Sequence, residues 1–440
     1  MSRKRKLYVL SIDAMVTEDL PFMRTLPTLG RLLDGAAVVE NILSVYPTLT
    51  YTIHSTMMTG VYPDRHHIVN NETFVPGLDR TPWYRSRRLF DEDVVTVLEA
   101  AKAAGYTTAA ISWPVTADID VDWHLPETWS PEGTPETMYD EFVRCGAKPE
   151  FLDEFWADYG RALNGLYDPQ FSLLAHGATL AAIRNHQPDV LFEHLSMVDH
   201  TRHSFGVFAP PVYKDAYLEI ELMLSQTLDA MRQAGTLEDT TIVLTSDHGQ
   251  TPVTKLVAPN TLLVRDHWIR LNDDGTLAEY DMYFHSAAHS AQVYLSRPDD
   301  PALVAKAHTL LLEYQRQEDS GIEAVLTREE LAQHHHLTGA FSFVVEARDG
   351  YSFANKLTGP LITPTDNSDY KYSVATHGHL PAKGPKPAMI LTGPGIRPGV
   401  HIDGADIVDE APTLAALLGV SLGRPDGKVL SQLLLEPPLD

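Results

Sequence analysis

The sequence predicts an α/β protein: a doubly wound, mostly parallel central sheet flanked by helices, with an α+β cap inserted into it. Three observations predict it. Short apolar runs with the length and β-branched content of buried strands alternate with helical segments. Several of those runs end abruptly in a polar cluster containing Asp or His, which is where open α/β sheets keep their ligands. Between about residues 253 and 373 the alternation gives way to strand-like pairs and turns, the mark of an insertion.

In order, Lys6–Ile12 (KLYVLSI) has the make-up of a central strand and is closed by Asp13. A helix around Leu26–Leu33 and a strand around Ala36–Ile42 lead into residues 45–71, VYPTLTYTIHSTMMTGVYPDRHHIVNN. There Pro47 and Thr48 interrupt the extended chain. Thr50 stands as the N-cap of a short helix ending near Gly60, its hydroxyl at the positive helix end where anions bind. Asp91 is expected to cap a helix with Val94, Val97, Leu98 and Ala101 on its apolar face and Gly105 at its end. Thr107–Ser112 reads as a strand, and Trp113–Pro149, rich in Trp, Pro, Glu and Asp, as irregular structure with only short helices.

A helix over Phe171–Asn185 precedes a buried strand, Asp189–Leu195, and Asp199, His200 and His203 leave that strand's carboxyl end. A long helix over Val212–Ala234 is followed by the strand Thr240–Thr245 and at once by Ser246-Asp247-His248-Gly249. The insertion holds strands at His289–Leu295 and Phe341–Ala347, a helix at Pro301–Gln317 and a turn at Asp349-Gly350. The core resumes at Lys386–Thr392 and closes with a helix over Ile407–Leu418, Pro412 in its first turn. The expected division is core 1–252, cap 253–373 and core 374–440.

With 440 residues, 44% of them hydrophobic, the chain can bury a large core. Its formal charge of −25 argues against a stable nucleic-acid partner or an anionic membrane surface. It does not exclude an anionic substrate, because bound divalent ions reverse the sign locally. The basic opening MSRKRK is followed by too short an apolar run for a signal peptide, and no stretch reaches transmembrane length. One cysteine, Cys145, expected to be a buried small hydrophobe, precludes an internal disulfide framework and fits a reducing, cytoplasmic setting. His334-His335-His336 reads as a solvated stretch, since consecutive helical residues cannot face one metal. Oligomeric state is not legible.

Four places present Asp or His after a core strand or in a glycine-flanked loop: Asp13, Asp199 with His203, Asp247 with His248, and His377. The i, i+4 spacing of Asp199 and His203 puts both on one face of a helix. Mixed carboxylate and imidazole donors suit zinc, with manganese or iron as alternatives. A threonine hydroxyl is a poor nucleophile at neutral pH unless a base or metal activates it. Two ions sharing one site can bracket the oxygens entering and leaving a phosphoryl centre.

The pieces LSIDAM around Asp13, YPTLTYTIHSTMMTGVYPDRHHIVNN around Thr50, D-x-x-x-H at Asp199–His203, TSDHG at Asp247–His248 and THGHLP around His377 follow one another over about residues 7–395. In them the chain resembles the alkaline phosphatase superfamily and, within it, the type I phosphodiesterase/nucleotide pyrophosphatase family. TGPGIRPG at 392–399 resembles that family's closing strand and turn. The resemblance implies an alkaline phosphatase-like fold and a two-zinc site. One ion would be held by Asp13, Asp247 and His248 with Thr50 as nucleophile, the other by Asp199, His203 and His377. Asn71 would bond a non-bridging phosphate oxygen, and Tyr51 would form one side of a nucleobase slot.

The chain departs from the family pattern in four places. Tyr51-Thr52-Ile53-His54 stands for F-P-N-H, Arg202 for a glycine, His66-His67-Ile68 for H-G-I, and His377-Gly378-His379-Leu380 for H-G-Y-D. None removes a ligand. His54, His66, His200 and His379 are assigned supporting or structural roles.

The expected activity is hydrolysis of phosphodiester or pyrophosphate bonds in small nucleotide-type substrates. The alternatives on the same site are phosphonoacetate hydrolysis and phosphomonoester hydrolysis. A monoester's extra charge calls for a cationic donor, for which Arg65, Arg80 and Arg85 are candidates. A sulfatase is disfavoured because Cys145 precedes Gly-Ala-Lys rather than lying in a C/S-x-P-x-R context. The non-enzyme alternative is a catalytically inactive metal-binding protein of this fold. Tyr51, Phe74 and Trp113 are equally candidates for substrate contact and for core.

Overall fold

A computed structural model describes residues 4–163 and 168–435. Its main sheet has eight strands in the order His401–Asp403, Ala37–Glu40, Met389–Thr392, Thr240–Thr245, Lys6–Ile12, Val190–Leu195, Thr108–Ile111 and Trp123–Leu125. Met389–Thr392 runs antiparallel to both neighbours; every other pairing in this sheet is parallel. Helices cover both faces, which is why the central strand reads as a continuous apolar run. Leu7 and Val9 pack on one face with Ile53, Met57, Met58 and Leu414. Tyr8, Leu10 and Ile12 pack on the other with Leu174, Ala178, Tyr217 and Ile220. Each Val, Leu, Ile or Met side chain among them, fully buried, contributes roughly 1.5–3 kcal/mol.

The register aligns three strand ends. Ser11 lies opposite His194 on one side and Thr245 on the other, and the Asp13 N–H donates to Leu195 O at 3.0 Å. Asp13, the helix Met197–Phe205 and the Asp247 loop therefore emerge side by side. They do so where the chain winds off to opposite sides of the central strand, a topological switch point.

The second sheet is antiparallel, in the order Met282–Ala287, Ser290–Leu295, Phe343–Ala347, Ile322–Thr327. The helix Pro301–Gln315 packs Leu303, Ala307, Leu311 and Tyr314 into its core. The strand Thr251–Val257 pairs with Gly350–Phe353 and with Ile362–Thr363, and at its start with Ala375–Thr376. Pairing of Thr251 with Thr376 brings His377 beside the 246–250 loop.

Three expectations are corrected. Asp91 caps no helix: the helix is Val97–Ala103, begun by a capping box in which Thr96 Oγ1 accepts from Glu99 N–H at 3.1 Å and Glu99 accepts from Thr96 N–H at 3.0 Å. Two reciprocal bonds outcompete a lone aspartate upstream, and Asp91 pairs instead with His67 at 2.9 Å. Residues 113–149 are more ordered than their composition implied. They hold the edge strand Trp123–Leu125 and a ten-residue helix, Pro135–Arg144, capped by Thr134. Thr50 is the first residue of the helix Thr50–Thr59 and not its cap; Leu49 holds the cap position without a side-chain bond.

Cys145 is buried with a free thiol. The histidine run ends the helix Arg328–His335, with His336 stacked on Tyr62 at 4.2 Å and His334 exposed. Among the described residues no helix is long and apolar enough to cross a membrane.

Candidate active site

The helix Thr50–Thr59 aims its N-terminus into a cleft of about 640 Å³ above the strand ends. Its last turn closes on Gly60 at φ 71°, where an added Cβ would lie 2.8 Å from Pro412 Cδ. Released from capping, the Thr50 hydroxyl lies 3.2 Å from His248 Nε2. His54, one turn on, donates from Nδ1 to Thr50 O at 2.8 Å and accepts at Nε2 from Ser11 Oγ at 2.8 Å. Burial keeps this imidazole neutral by lowering its pKa well below the usual value, which suits a ring used as a brace. Asn71 Oδ1 accepts from the Tyr51 N–H at 3.0 Å, so its amide N–H groups are turned away from that bond.

The six proposed ligands converge beside Thr50. Ligand atoms of Asp199, His203 and His377 lie within 4.8 Å of one another, and so do those of Asp13, Asp199 and His248. Asp247 Oδ2 is 3.1 Å from His248 Nε2. Asp199 Oδ2 is 3.1 Å from His203 Nε2, as the i, i+4 spacing requires. His377 stacks on His248 at 3.8 Å. Backbone carbonyls fix two of the rings: His203 Nδ1 donates to Ala375 O at 2.7 Å and His377 Nδ1 to Thr48 O at 2.8 Å. Both bonds leave Nε2 bare and facing the centre, the tautomer a metal requires.

The donor set fits divalent ions on its own evidence. Asp13 Oδ1, Asp247 Oδ2 and His203 Nε2 are buried without a hydrogen-bond partner. No Lys or Arg pairs with Asp13, Asp199 or Asp247 among the described residues. Two buried carboxylates, Asp13 and Asp247, facing a third, half-buried one at Asp199 cost several kcal/mol unless they are protonated or bind a cation. Oxygen and imidazole nitrogen without thiolate suits zinc, manganese or iron.

Burial, reinforced by Asp247 and Asp199, raises Asp13 well above the usual carboxyl range, and burial lifts Asp247 to about 7. Burial also acts upward on Asp199, but the adjacent His203 outweighs it and holds that carboxyl low. Burial lowers His377 to about 4. A carboxyl with a raised pKa keeps its proton in the metal-free fold between its unfolded value and about 7. The contribution of such a group to stability is full below its unfolded pKa and falls as pH rises through that window.

Metal binding must expel these protons, so apparent affinity is expected to rise with pH and level off above about 7. Zinc titrations of chelator-stripped protein at about pH 6 and about pH 8, in buffers of different ionisation heat, check this. The expected result is weaker binding with measurable proton release at the lower pH. Equal affinity without proton release would contradict it.

Residues 7–379 match the type I phosphodiesterase/nucleotide pyrophosphatase family. The chain belongs to this family. Curated relatives include human ectonucleotide pyrophosphatase/phosphodiesterase family member 5, 23% identical over 304 residues, which are 65% of this chain and 55% of that protein. Human family member 1 is 22% identical over 227 residues, 51% of this chain and 21% of that one. The chain thus spans about half, or less, of the length of these relatives.

Among solved structures, human ectonucleotide pyrophosphatase/phosphodiesterase 5 superposes with a TM-score of 0.65 at 17% identity, covering 98% of this chain and 100% of that one. The murine protein, in an inactive threonine-to-alanine form in complex with AMP, gives 0.62 at 17% identity, covering 97% and 98%. The main sheet and its flanking helices are those of this alkaline phosphatase-like fold.

Around the family's motif residues the structure adds partners that the sequence did not point to. His194 Nε2 lies 3.1 Å from Asp13 Oδ2, its Nδ1 bonded to Ser112 O. Gln250 donates to Asp199 Oδ1 at 2.5 Å. Ser44 Oγ bonds the Asp247 carbonyl. Thr48 holds Gly378 N–H on both its oxygens, at 2.9 and 3.0 Å. Gly378 itself is irreplaceable there, since at φ 91° an added Cβ would meet Ala287 O at 2.0 Å.

Arg202, in the family's glycine position, is buried between Ala14 O and Asp19, with bonds of 2.6 and 2.8 Å to the Asp19 carboxylate. Phe74 and Trp113 are taken up by packing, Phe74 stacked on Tyr294 at 3.6 Å and Trp113 edge-on to His54 at 4.9 Å. Tyr51 lines the cleft. His66 bonds Thr56 Oγ1 at 3.0 Å, His379 is buried, and His200 lines the cleft.

Proposed function

We propose that the chain hydrolyses phosphodiester or pyrophosphate bonds of small nucleotide-type substrates, with Thr50 as nucleophile and two divalent ions, most simply zinc, as cofactors. The observation that carries this reading is the position of Thr50 Oγ1. It sits at a helix N-terminus, 3.2 Å from His248, beside two overlapping trios of ligand atoms. Asp13, Asp247 and His248 would hold one ion and Asp199, His203 and His377 the other. When bound, such ions lower the pKa of a coordinated hydroxyl and offset charge on phosphoryl oxygens.

The chain's own groups supply the rest. The helix N-terminus and the amide of Asn71 hold the phosphoryl oxygens and the charge that develops on them. Thr50 Oγ1 attacks phosphorus in line, forming a Thr50–phosphorus bond as the bond to the leaving oxygen breaks, and the hydroxyl proton passes through solvent to that oxygen. Water then cleaves the Thr50–phosphorus bond and restores the hydroxyl.

Charge favours diesters and pyrophosphates over monoesters. Arg85 is spent on Thr128, Trp129 O and Glu141, Arg80 on Ser368 O, and Arg65 on Arg424 O and Asp426. Beside Thr50 the donor that meets the substrate is the neutral Asn71 amide, while Arg80 stands on the exposed side of the cleft lining. Support for a nucleotide comes from the family and from the AMP bound to the inactive murine relative. Rates on bis(p-nitrophenyl) phosphate, p-nitrophenyl phosphate and phosphonoacetate test the assignment. The diester is expected to be the best substrate; preference for either of the others would reassign the site, and inactivity on all three would favour the metal-binding alternative.

A further inference from the structure

Away from the cleft, one buried carboxylate takes no part in the ligand set or in the chemistry proposed for it. Glu346 lies on the strand Phe343–Ala347 of the second sheet and is fully buried, among the buried apolar residues Phe343, Val344, Val345 and Ala347. A carboxylate is costly in such a place unless hydrogen bonds and a counter-charge offset its lost hydration, and an apolar residue would pack there at no such cost. The groups that offset it come from outside the sheet. Tyr46 OH donates to Glu346 Oε2 at 3.0 Å, the Leu380 N–H donates to Oε1 at 2.9 Å, and Lys383 Nζ lies 3.2 Å from Oε1.

Tyr46 and Leu380 stand at the outer ends of two segments that meet at His377. Tyr46 leads into Thr48, whose carbonyl accepts from His377 Nδ1 at 2.8 Å and from the Gly378 N–H at 2.9 Å. The Thr48 hydroxyl donates to His379 O at 2.9 Å. With Leu380 three residues beyond His377, the two segments and the Glu346 carboxylate close a ring of hydrogen bonds that carries the His377 imidazole. The hairpin beside Glu346 grips the same stretch. His289 N–H donates to His377 O at 3.1 Å, and Ser290, opposite Glu346 in the sheet, donates from Oγ to Gly378 O at 2.7 Å. The other ligand set is braced elsewhere: His54 bonds Thr50 O, and Ser44 bonds the Asp247 carbonyl.

We infer that Glu346 is a positioning residue for one of the two ions: by tying Tyr46 to Leu380 it fixes the backbone that aims His377 Nε2 at Asp199 and His203. The inference rests on the two-ion reading of the site. A group that only fastened the second sheet to the rest of the fold would act on stability, whereas one that orients a ligand also sets metal affinity.

The test is zinc titration of the chelator-stripped full chain by calorimetry. Glu346→Ala removes both acceptor oxygens, and Glu346→Gln keeps one of them. Tyr46→Phe deletes a single donor from the far side of the ring and serves if the alanine variant does not fold. The alanine variant is expected to bind one ion within about twofold of the wild-type affinity and the other at least about tenfold more weakly. The glutamine variant should recover most of that loss, and Tyr46→Phe should lose affinity for the same ion. In a His203→Ala background, where the Asp199, His203 and His377 set is already broken, Glu346→Ala should change zinc affinity by less than about twofold.

Equal weakening of both ions, or a tenfold loss that persists in the His203→Ala background, would overturn the role. So would unchanged zinc binding in both Glu346→Ala and Tyr46→Phe. A wild type that binds two zinc ions but cleaves no phosphodiester, with Glu346→Ala still weakening one ion, would sink the hydrolase reading and leave the positioning role standing.

Discussion

Thr50→Ala is expected to lower turnover of a phosphodiester by at least about a thousandfold, the scale on which nucleophile removal acts in covalent catalysis. The substitution isolates the hydroxyl. Thr50 is the first helical residue, and alanine there keeps the helix. The brace that positions this turn uses the Thr50 carbonyl, bonded to His54 Nδ1 at 2.8 Å, and the Tyr51 N–H, bonded to Asn71. Both survive. Stability should change by no more than about 1 kcal/mol, and bound metal should stay at the wild-type level because Asp13, Asp247 and His248 are intact. Thr50→Ser should retain partial activity, since it keeps the oxygen while losing the methyl that restricts its rotamer. Steady-state rates, a thermal melt and a metal assay on the same preparations decide it. Wild-type turnover by the alanine variant would end the assignment of Thr50.

The second large effect is expected away from the reacting atoms, at Arg202. Its guanidinium is fully buried and clamps the Asp19 carboxylate, which also accepts from Tyr217 OH at 2.6 Å and Val16 N–H at 2.9 Å. The same guanidinium bonds Ala14 O, while Ala14 N–H donates to Asp247 Oδ1 at 3.2 Å. One residue of strained backbone, Ala14 at φ 59°, is thus held between the two halves of the ligand set. Arg202 lies between Asp199 and His203 on their helix, so its loss acts on both halves together.

Arg202→Met leaves the Asp19 charge buried and unmatched, at a cost of about 3–5 kcal/mol. Adding Asp19→Asn should return part of that loss, because the pair then disappears together. Denaturant unfolding of the two single variants and the double variant checks the coupling. A loss below about 1 kcal/mol in Arg202→Met would show that the clamp does not hold the loop.

The sequence showed Asp13 and Asp247 because each follows a strand-like apolar run, and a strand end in a parallel sheet is a place with chemical meaning. Asp199 and His203 were visible through helical spacing. His377 was visible through its glycine-flanked loop and a family motif but not through a strand end, since its strand, Ala375–Thr376, has two residues. His194 was hidden because it lies inside the apolar run of its strand, where a polar residue reads as an irregularity; its bond to Asp13 exists only once the two strands pair. Thr48 was hidden for a different reason, as much of its work is done by its main-chain carbonyl, which carries no signal of residue type.

The three-residue strand Trp123–Leu125 is too short to show alternation, and the Thr96 capping box decided a helix start that composition alone gave to Asp91. Of the aromatic candidates, Phe74 and Trp113 went to packing, and Tyr51 is fully buried in the core while bordering the cleft. Nothing in their local sequence distinguishes them.

Side chains from both ends of the chain are expected to close around a pair of cations. Counting zinc per chain by mass spectrometry, after stripping with chelator, reloading and removing unbound metal, tests it most directly. Two ions are expected in the wild type and one in His203→Ala, with the Asp13, Asp247 and His248 set still filled. A wild type that retains no zinc, or only one ion, would contradict it.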